Sequence, residues 1–169
     1  MIMDSTLEFC DAVSVALAAG TANIGNQVDT VNVRDLGGGQ PIFLVINVDT
    51  AIVTGGVAGT LQFALVSDDT AAISTTTRAV HLLTAAFVTD DDPTIPAGRQ
   101  LYCGAIPSLT DYVSRSVAGV DVVKGAGSPY ARFLGIQAIV GTTPITAGKI
   151  NAFLTLDPHT LKNYPDAQN

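Results

Sequence analysis

Residues 34–48 read RDLGGGQPIFLVINV, and this stretch decides the fold that the sequence predicts. Three glycines and Pro41 precede an apolar run that is long enough for a strand buried on both faces. Proline cannot donate a ladder hydrogen bond, so Pro41 belongs at or just before the first residue of the strand. Isoleucine and valine favour strands, and no helix start signal precedes them. The sequence therefore predicts that residues 42–48 form a central strand of an all-β domain.

The composition of the chain also favours strands and turns over helices. Of its 169 residues, 47% are hydrophobic, which suits a single domain with a core of its own. Charged residues make up 14%, against about 25% in an average soluble domain. The long helix formers are in short supply, since Glu8 is the single glutamate and there are three lysines.

The charge of the chain argues against two classes of partner. The formal net charge is -7 and the sequence pI is about 4.4. Nucleic-acid binding needs a basic patch, and the sequence has no cluster of lysine and arginine. The same shortage argues against an anionic membrane surface, and no apolar run reaches the roughly 20 residues of a membrane span. The first residues lack the basic region of a signal peptide, which predicts a protein made and kept, or assembled, in the cytoplasm.

Alternating apolar positions predict about eight short strands. The clearest are residues 61–67, residues 130–140 and residues 149–156, in which alternate residues fall on one face. Glycine, proline, asparagine and aspartate separate them. Eight short strands in one domain predict a two-sheet antiparallel sandwich, and more specifically a jelly roll. A closed barrel is the alternative architecture.

Local patterns add detail at two places. Near the start, residues 13–17 are predicted as a strand and residues 20–23 as a turn. Residues 107–128 do not fit the sandwich and are interpreted as an irregular excursion from it. Within this excursion we expect a helical turn or two in residues 109–117 and a short strand at residues 120–123.

Candidate catalytic and metal-binding residues match no known motif. His81 and His159 are the only histidines, and no G-x-S-x-G nucleophile motif accompanies them. The acidic run at residues 90–92 lacks the spacing of an EF-hand loop, and the glycines at residues 37–39 match no phosphate-binding loop. We therefore predict neither enzyme activity nor a cofactor. A small hydrolase that uses one histidine, and calcium shared between subunits, are kept as alternatives.

The two cysteines give a further expectation about compartment. Cys10 and Cys103 lack the spacing of a metal site. In a cytoplasmic protein they are predicted to be two buried free thiols and not a disulfide.

Four segments carry a resemblance to a known family. They are residues 7–12 (LEFCDA), 34–45 (RDLGGGQPIFLV), 130–134 (YARFL) and 144–154 (PITAGKINAFL). In this order they resemble turns and strands of the small jelly-roll cement, or decoration, proteins of tailed bacteriophages, of the type found on Bordetella phage capsids. The likeness extends over most of the chain, and residues 107–128 depart from it.

The resemblance implies a structural protein of the virion. Such proteins bind the outer surface of the expanded shell, bridge neighbouring major capsid protein subunits and hold the shell against the pressure of packaged DNA. They are assembled onto the capsid in the host cytoplasm. The resemblance also implies a homo-oligomer, for which we favour a dimer over a trimer. The alternative is a carbohydrate-binding jelly-roll module of a phage fibre or a secreted enzyme, although the chain has no tryptophan for an aromatic platform.

Three regions of the single domain, residues 1–169, are expected to contact the capsid or another copy. They are the N-terminal segment 1–11, the excursion at 107–128 and the polar tail 157–169. The residues expected to make the contacts are Leu7, Phe9, Leu109, Tyr112, Leu161 and Tyr164. This expectation rests on position alone, and the alternative is that these termini and this insertion are simply mobile.

Overall fold

The computed structural model describes residues 7–30, 41–56, 59–89, 94–107, 113–117, 120–124 and 130–158. Within these ranges the chain forms twelve β-strands and no helix. The strands are β1 (Glu8–Ser14), β2 (Gly20–Asp29), β3 (Phe43–Thr54), β4 (Gly59–Asp68), β5 (Ala79–Leu83), β6 (Phe87–Thr89), β7 (Thr94–Ile95), β8 (Gln100–Ala105), β9 (Val113–Val117), β10 (Val120–Lys124), β11 (Phe133–Gly141) and β12 (Ile145–Thr155).

Ten of these strands form two five-stranded antiparallel sheets. Sheet A has the order β1-β12-β3, and both β7 and β8 pair with the far side of β3. Sheet B has the order β2-β11-β4, and both β5 and β6 pair with the far side of β4. The two sheets enclose one core, so the predicted all-β sandwich is confirmed.

The strand pairs are nested along the chain. β1 pairs with β12, β2 with β11, β3 with β7 and β8, and β4 with β5 and β6. The first part of the chain therefore pairs with the last part in reverse order. The arrangement is that of one long hairpin wrapped into two sheets.

β3 is an interior strand of sheet A, as its apolar sequence predicts. Leu44 and Ile46 are fully buried, and Ile46 lies between Ala152 of β12 and Tyr102 of β8. The strand begins two residues after Pro41, which needs no ladder partner there. It is longer than the predicted 42–48 because it continues to Thr54 and pairs there with Ile145.

The main core lies between the inner faces of the two sheets. Leu44, Ile46 and Ile150 contribute from sheet A, and Phe63, Leu65 and Ile136 from sheet B. Alternate residues of β4 point to this core, as the period-two pattern of residues 61–67 predicts. The side chains between them form a second, smaller cluster on the outer face of sheet B.

The second cluster is covered by the loop that follows β4, residues 69–78. Its buried members are Ala64, Val66, Val80 and, from the loop, Ile73. Ile73 packs over Gly135 so closely that a Cβ at Gly135 would lie 2.6 Å from the Ile73 Cδ1 atom. Sheet B is therefore packed on both of its faces.

Three local predictions are wrong. Residues 20–23 form the first part of β2 and not a turn, because Ala22 pairs with Ala138 of β11 along a continuous ladder. The first strand is Glu8–Ser14 and not 13–17, since Cys10 pairs with Ala152 of β12. Residues 113–117 form strand β9 and not a helical turn, because their backbone pairs with β10.

The excursion forms a hairpin apart from the two sheets. Within the described ranges β9 and β10 pair with each other, and β10 matches the strand predicted at residues 120–123. Both strands lie close to β5, at the edge of sheet B. Residues 108–112, where part of the helical turn was expected, lie outside the described residues.

The backbones of β1 and β2 approach each other closely at Gly25. Its φ angle is 69°, in the left-handed region that favours glycine. A Cβ at this position would lie 2.0 Å from the Phe9 carbonyl oxygen and 2.6 Å from the Cys10 Sγ atom. Only glycine fits, so Gly25 sets how closely the edges of the two sheets meet.

Replacing Gly25 by alanine tests this close approach. We expect Gly25→Ala to lower the free energy of unfolding by about 3 kcal/mol or more, because the methyl group would overlap Phe9 and the backbone is strained. Gly98→Ala is the matched control: φ is 79° there, but nothing lies within 4 Å of the added Cβ. Its expected loss is about 1 kcal/mol, from backbone strain alone. Urea denaturation measures both, and equal losses would contradict the close approach.

Candidate functional site

Buried Ser67 and His81 form a group with the partly buried Tyr130 at sheet B. Ser67 ends the apolar part of β4, His81 lies in β5, and Tyr130 precedes β11. Ser67 Oγ and His81 Nε2 are 2.6 Å apart, and Ser67 Oγ also accepts a hydrogen bond from the Ala131 N–H at 3.0 Å. The His81 and Tyr130 rings are in contact in a tilted arrangement, with centroids 4.2 Å apart and an interplanar angle of 51°, and the Tyr130 hydroxyl donates to the Pro107 carbonyl.

The Ser67–His81 pair has two of the side chains that a hydrolase would use, but not their usual setting. Ser67 is fully buried and His81 is 6% exposed. A nucleophile must meet its substrate, and it does so from a cleft or a strained turn. Ser67 instead lies within a regular strand pair, opposite Ala79. The geometry fits a structural role, in which the hydrogen bonds of Ser67 connect β4 to β5 and to the segment that leads into β11.

A second group of polar side chains fixes the 69–78 loop to sheet B. The Asp68 carboxylate accepts a hydrogen bond from the Ser74 N–H at 2.9 Å. Gln137 Nε2 donates to Asn23 Oδ1 at 2.7 Å and to the Ser74 carbonyl at 3.1 Å. Asn23 Nδ2 in turn donates to the Ile73 carbonyl at 2.7 Å. The loop is thus held at its start and at the point where it covers the sheet.

The electrostatics of Asp68 reflect these bonds. The hydrogen bond from the Ser74 N–H lowers the pKa of Asp68 below its usual range, with burial opposing it and a bond from Thr70 adding to it. The carboxylate form is therefore the one that holds the loop.

Arg78 follows the same loop and is the largest fully buried side chain of the described residues. Only 2% of it is exposed, and burial lowers the pKa of its guanidinium. Its Nη1 donates to the Thr75 carbonyl, whereas Nε and Nη2 have no hydrogen-bond partner among the described residues. The one ion pair between described residues lies elsewhere and joins Arg132 to Asp29. Arg78 is thus a buried cation with two free donors.

Sequence reasoning singled out His81 but neither Ser67 nor Arg78. Ser67 is 14 positions from His81 and 64 from Ala131, so no local spacing links the three. A signal for Arg78 is visible in retrospect: it is an arginine directly before an apolar strand, in a chain with eight lysine and arginine residues. His159 lies outside the described residues.

The expected contact residues are only partly described. Leu7 is half-buried and packs against the core. Phe9 is fully buried in the main core, so its side chain is not exposed for contact with a partner as was expected. The other four expected contact residues, Leu109, Tyr112, Leu161 and Tyr164, lie outside the described residues.

The two cysteines are both free, as predicted, but only one is buried. Cys10 lies in the core, and burial, followed by the charge of Glu8, raises the pKa of its thiol to about 12. Cys103 is exposed and lies in β8, opposite Val45 of β3. The prediction of a buried thiol is therefore right for Cys10 and wrong for Cys103.

Replacing Ser67 by alanine tests the structural role of its hydroxyl group. We expect Ser67→Ala to lower the free energy of unfolding by about 3 kcal/mol, because His81 Nε2 and the Ala131 N–H each lose a buried hydrogen bond. Ser14→Ala is the control, since Ser14 Oγ accepts a bond from the Ala16 N–H at an exposed site. Its effect should stay within about 0.5 kcal/mol. Chemical denaturation compares the two, and similar small losses would show that the buried bonds contribute little.

The Asp68 carboxylate predicts a pH dependence of stability. Its pKa is lower folded than unfolded, so its contribution is present above the unfolded value, near about 4, and is lost as the pH falls through the folded value. Wild type should therefore melt at a higher temperature than Asp68→Asn at pH 7. The gap should close as the pH falls through the lowered folded pKa, where the Asp68 carboxylate becomes protonated. Asp69→Asn, which removes the neighbouring charge, is the control, and a gap that keeps the same size as the pH falls would refute the assignment.

Comparison with protein families and with curated proteins found no match, so a function is inferred from the fold and from these groups of residues. Among the described residues, no group of three or more histidine, cysteine, aspartate or glutamate side chains could hold a metal ion. The described residues also include no helix long and apolar enough to cross a membrane.

Proposed function

We propose that this chain is a structural cement protein of a tailed-bacteriophage capsid. It binds the outer surface of the expanded shell and bridges neighbouring major capsid protein subunits. One observation carries the proposal: three of the four family-like segments are distant in sequence but adjacent in sheet A. Residues 8–12 belong to β1, residues 145–154 to β12 and residues 43–45 to β3. β12 lies between the other two strands.

The fourth family-like segment, residues 130–134, connects two strands of sheet B. Arg132 holds the Asp29 carboxylate with two hydrogen bonds, from Nε at 3.1 Å and from Nη2 at 2.8 Å. Its guanidinium also lies 4.8 Å from the centre of the Phe133 ring. These contacts join the start of β11 to the end of β2. The residues that carry the resemblance thus make contacts between strands of this chain. This supports an architecture that the chain shares with the family it resembles.

The proposed architecture is a jelly roll. β5 with β6, and β7 with β8, each pair with one side of a single strand, so each couple counts as one interrupted strand. Ten strands less two interruptions give eight. Their nested pairing, in which the first strand meets the last and the second meets the last but one, is the pattern of a hairpin rolled into two Greek keys.

The physical properties of the chain suit a cement role. A sandwich with a continuous core is stiff, because its interior is close-packed. Many copies on one shell convert modest single contacts into a strong total attachment. Charged residues are 14% of the chain, and interface cores are depleted of charge. The proposal includes self-association into a small oligomer, preferably a dimer, and a final location on the outer capsid surface after assembly in the host cytoplasm.

Co-sedimentation with capsid shells tests this function. The purified chain should bind expanded shells from the same genome saturably, at a fixed ratio to the major capsid protein. Unexpanded shells are the control and should not bind it, because the bridged subunits are not yet in their final positions. A chain that ends at residue 157 tests the tail: unchanged binding would remove Leu161 and Tyr164 from the contact set.

Absence of binding to either form of the shell would reject the cement role. Saturable binding to members of a glycan array would then favour the carbohydrate-binding module.

A further inference from the structure

Arg78 presents an unoccupied fork of two donors. Its Nε and Nη2 atoms are buried and have no hydrogen-bond partner within the part of the chain that the structure describes, while Nη1 is bonded to the Thr75 carbonyl. Nε and Nη2 lie on the same edge of the planar guanidinium. Two parallel N–H groups at this edge match the two oxygens of a carboxylate or another oxyanion.

The chain shows the same fork in its occupied state. Arg132 uses the same two atoms, Nε and Nη2, to hold the two carboxylate oxygens of Asp29, at 3.1 and 2.8 Å. Arg132 is half-exposed, so water could satisfy its donors if Asp29 were absent. Arg78 is 2% exposed and lacks that alternative. The more deeply buried arginine is therefore the one without an anion.

Asp68, the acidic side chain that anchors the loop before Arg78, is engaged elsewhere. Asp68 faces the backbone of its own loop, where it accepts bonds from the Ser74 and Thr70 N–H groups. No ion pair of the described residues includes Arg78. A buried guanidinium with unpaired donors is unfavourable, and removing its partner from a buried pair destabilises a protein strongly. We call the Nε and Nη2 donors of Arg78 a half-site, because they are the protein's half of a bidentate pair whose other half would be an oxyanion.

The half-site lies just beneath the surface. Thr75, Thr76 and Thr77 are exposed, and Arg78 is bonded to the carbonyl of the first of them. The Thr76 and Thr77 N–H groups both donate to Ser74 Oγ, which fixes the shape of the turn that contacts the guanidinium through the Thr75 carbonyl.

We propose that Arg78 is an anion-binding residue that takes one carboxylate or small inorganic oxyanion through its Nε and Nη2 donors. The oxyanion comes either from solution or from an acidic side chain of a second copy of this chain. The site is independent of the capsid role, and it would exist in a protein with any other function.

Nuclear magnetic resonance of arginine Nε–H groups tests the proposal on the wild-type chain. The Arg78 signal is identified by its loss in Arg78→Lys, and the Arg132 signal by its loss in Arg132→Lys. Sodium acetate, sulfate and phosphate are titrated separately, with chloride keeping the ionic strength constant. The Arg78 signal should move saturably with at least one oxyanion. The Arg132 signal is the matched control and should not move, because Asp29 already fills its fork.

A second arm distinguishes the two sources of the oxyanion. Without added oxyanion, the protein is diluted over a wide concentration range. Movement of the Arg78 signal with protein concentration, together with self-association weakened about tenfold in Arg78→Lys, would assign the ligand to a second copy. Movement in the titration alone would assign it to a free oxyanion. If the Arg78 signal moves in neither arm, water satisfies the two donors and the proposal is overturned.

Stability provides an independent reading. In chloride, Arg78→Met should melt a few degrees above wild type, because an apolar side chain replaces an unpaired buried cation. An oxyanion that binds should raise the melting temperature of wild type and of Arg132→Met but not that of Arg78→Met. Equal shifts in all three proteins would contradict a site at Arg78. If Arg78→Met does not fold, the resonance measurements on wild type still decide.

Discussion

The ladder between β3 and β12 is the constraint on which the rest of the fold depends. β12 pairs with β3 from Ile145 opposite Thr54 to Thr155 opposite Phe43, and its other side carries β1. β3 in turn carries β7 and β8. Without this ladder sheet A would separate into two parts and could not cover sheet B. The ladder joins residues on the order of a hundred positions apart, so its loop-closure entropy is offset only when the core forms with it.

Sheet B shows how the fold handles buried polar groups. The 69–78 loop covers its outer face, and the side chains of Asn23 and Gln137 satisfy the loop backbone from below. Ser67 does the same for the segment that leads into β11. Four buried side-chain atoms of the described residues have no partner: Asn47 Oδ1, Gln137 Oε1, and the Nε and Nη2 atoms of Arg78. Charge makes the arginine the most unfavourable of these, since buried cations need pairing more than amides do.

The fold could be predicted from the sequence where one segment carries enough local pattern. The apolar run at residues 42–48 and the alternation at residues 61–67 correctly indicate buried strands. The prediction failed at residues 20–23, where glycine and asparagine favour a turn but the partner strand β11 imposes a ladder. β7 has two residues and is too short to leave a pattern. Such elements are fixed by their neighbours and not by their own sequence.

The groups of the candidate site could not be predicted, because they depend on contacts between distant segments. Gln137 bonds to Asn23 across 114 positions, and Ser67 bonds to the Ala131 N–H across 64. The burial of Arg78 depends likewise on how the loop before it folds over the sheet. Composition, by contrast, correctly indicated a fold without helices in the described residues, since it reports on the average residue and not on particular contacts.

The nested pairing has a consequence for chain connectivity. β1 and β12 are the first and last described strands, and Glu8 lies directly opposite Phe153. The outer ends of these two strands are therefore neighbours at one edge of sheet A. A short peptide could join them without disturbing a ladder, and new ends could be opened at the exposed turn around Gly98. In topological terms the described strands form a nested series whose first and last members are neighbours.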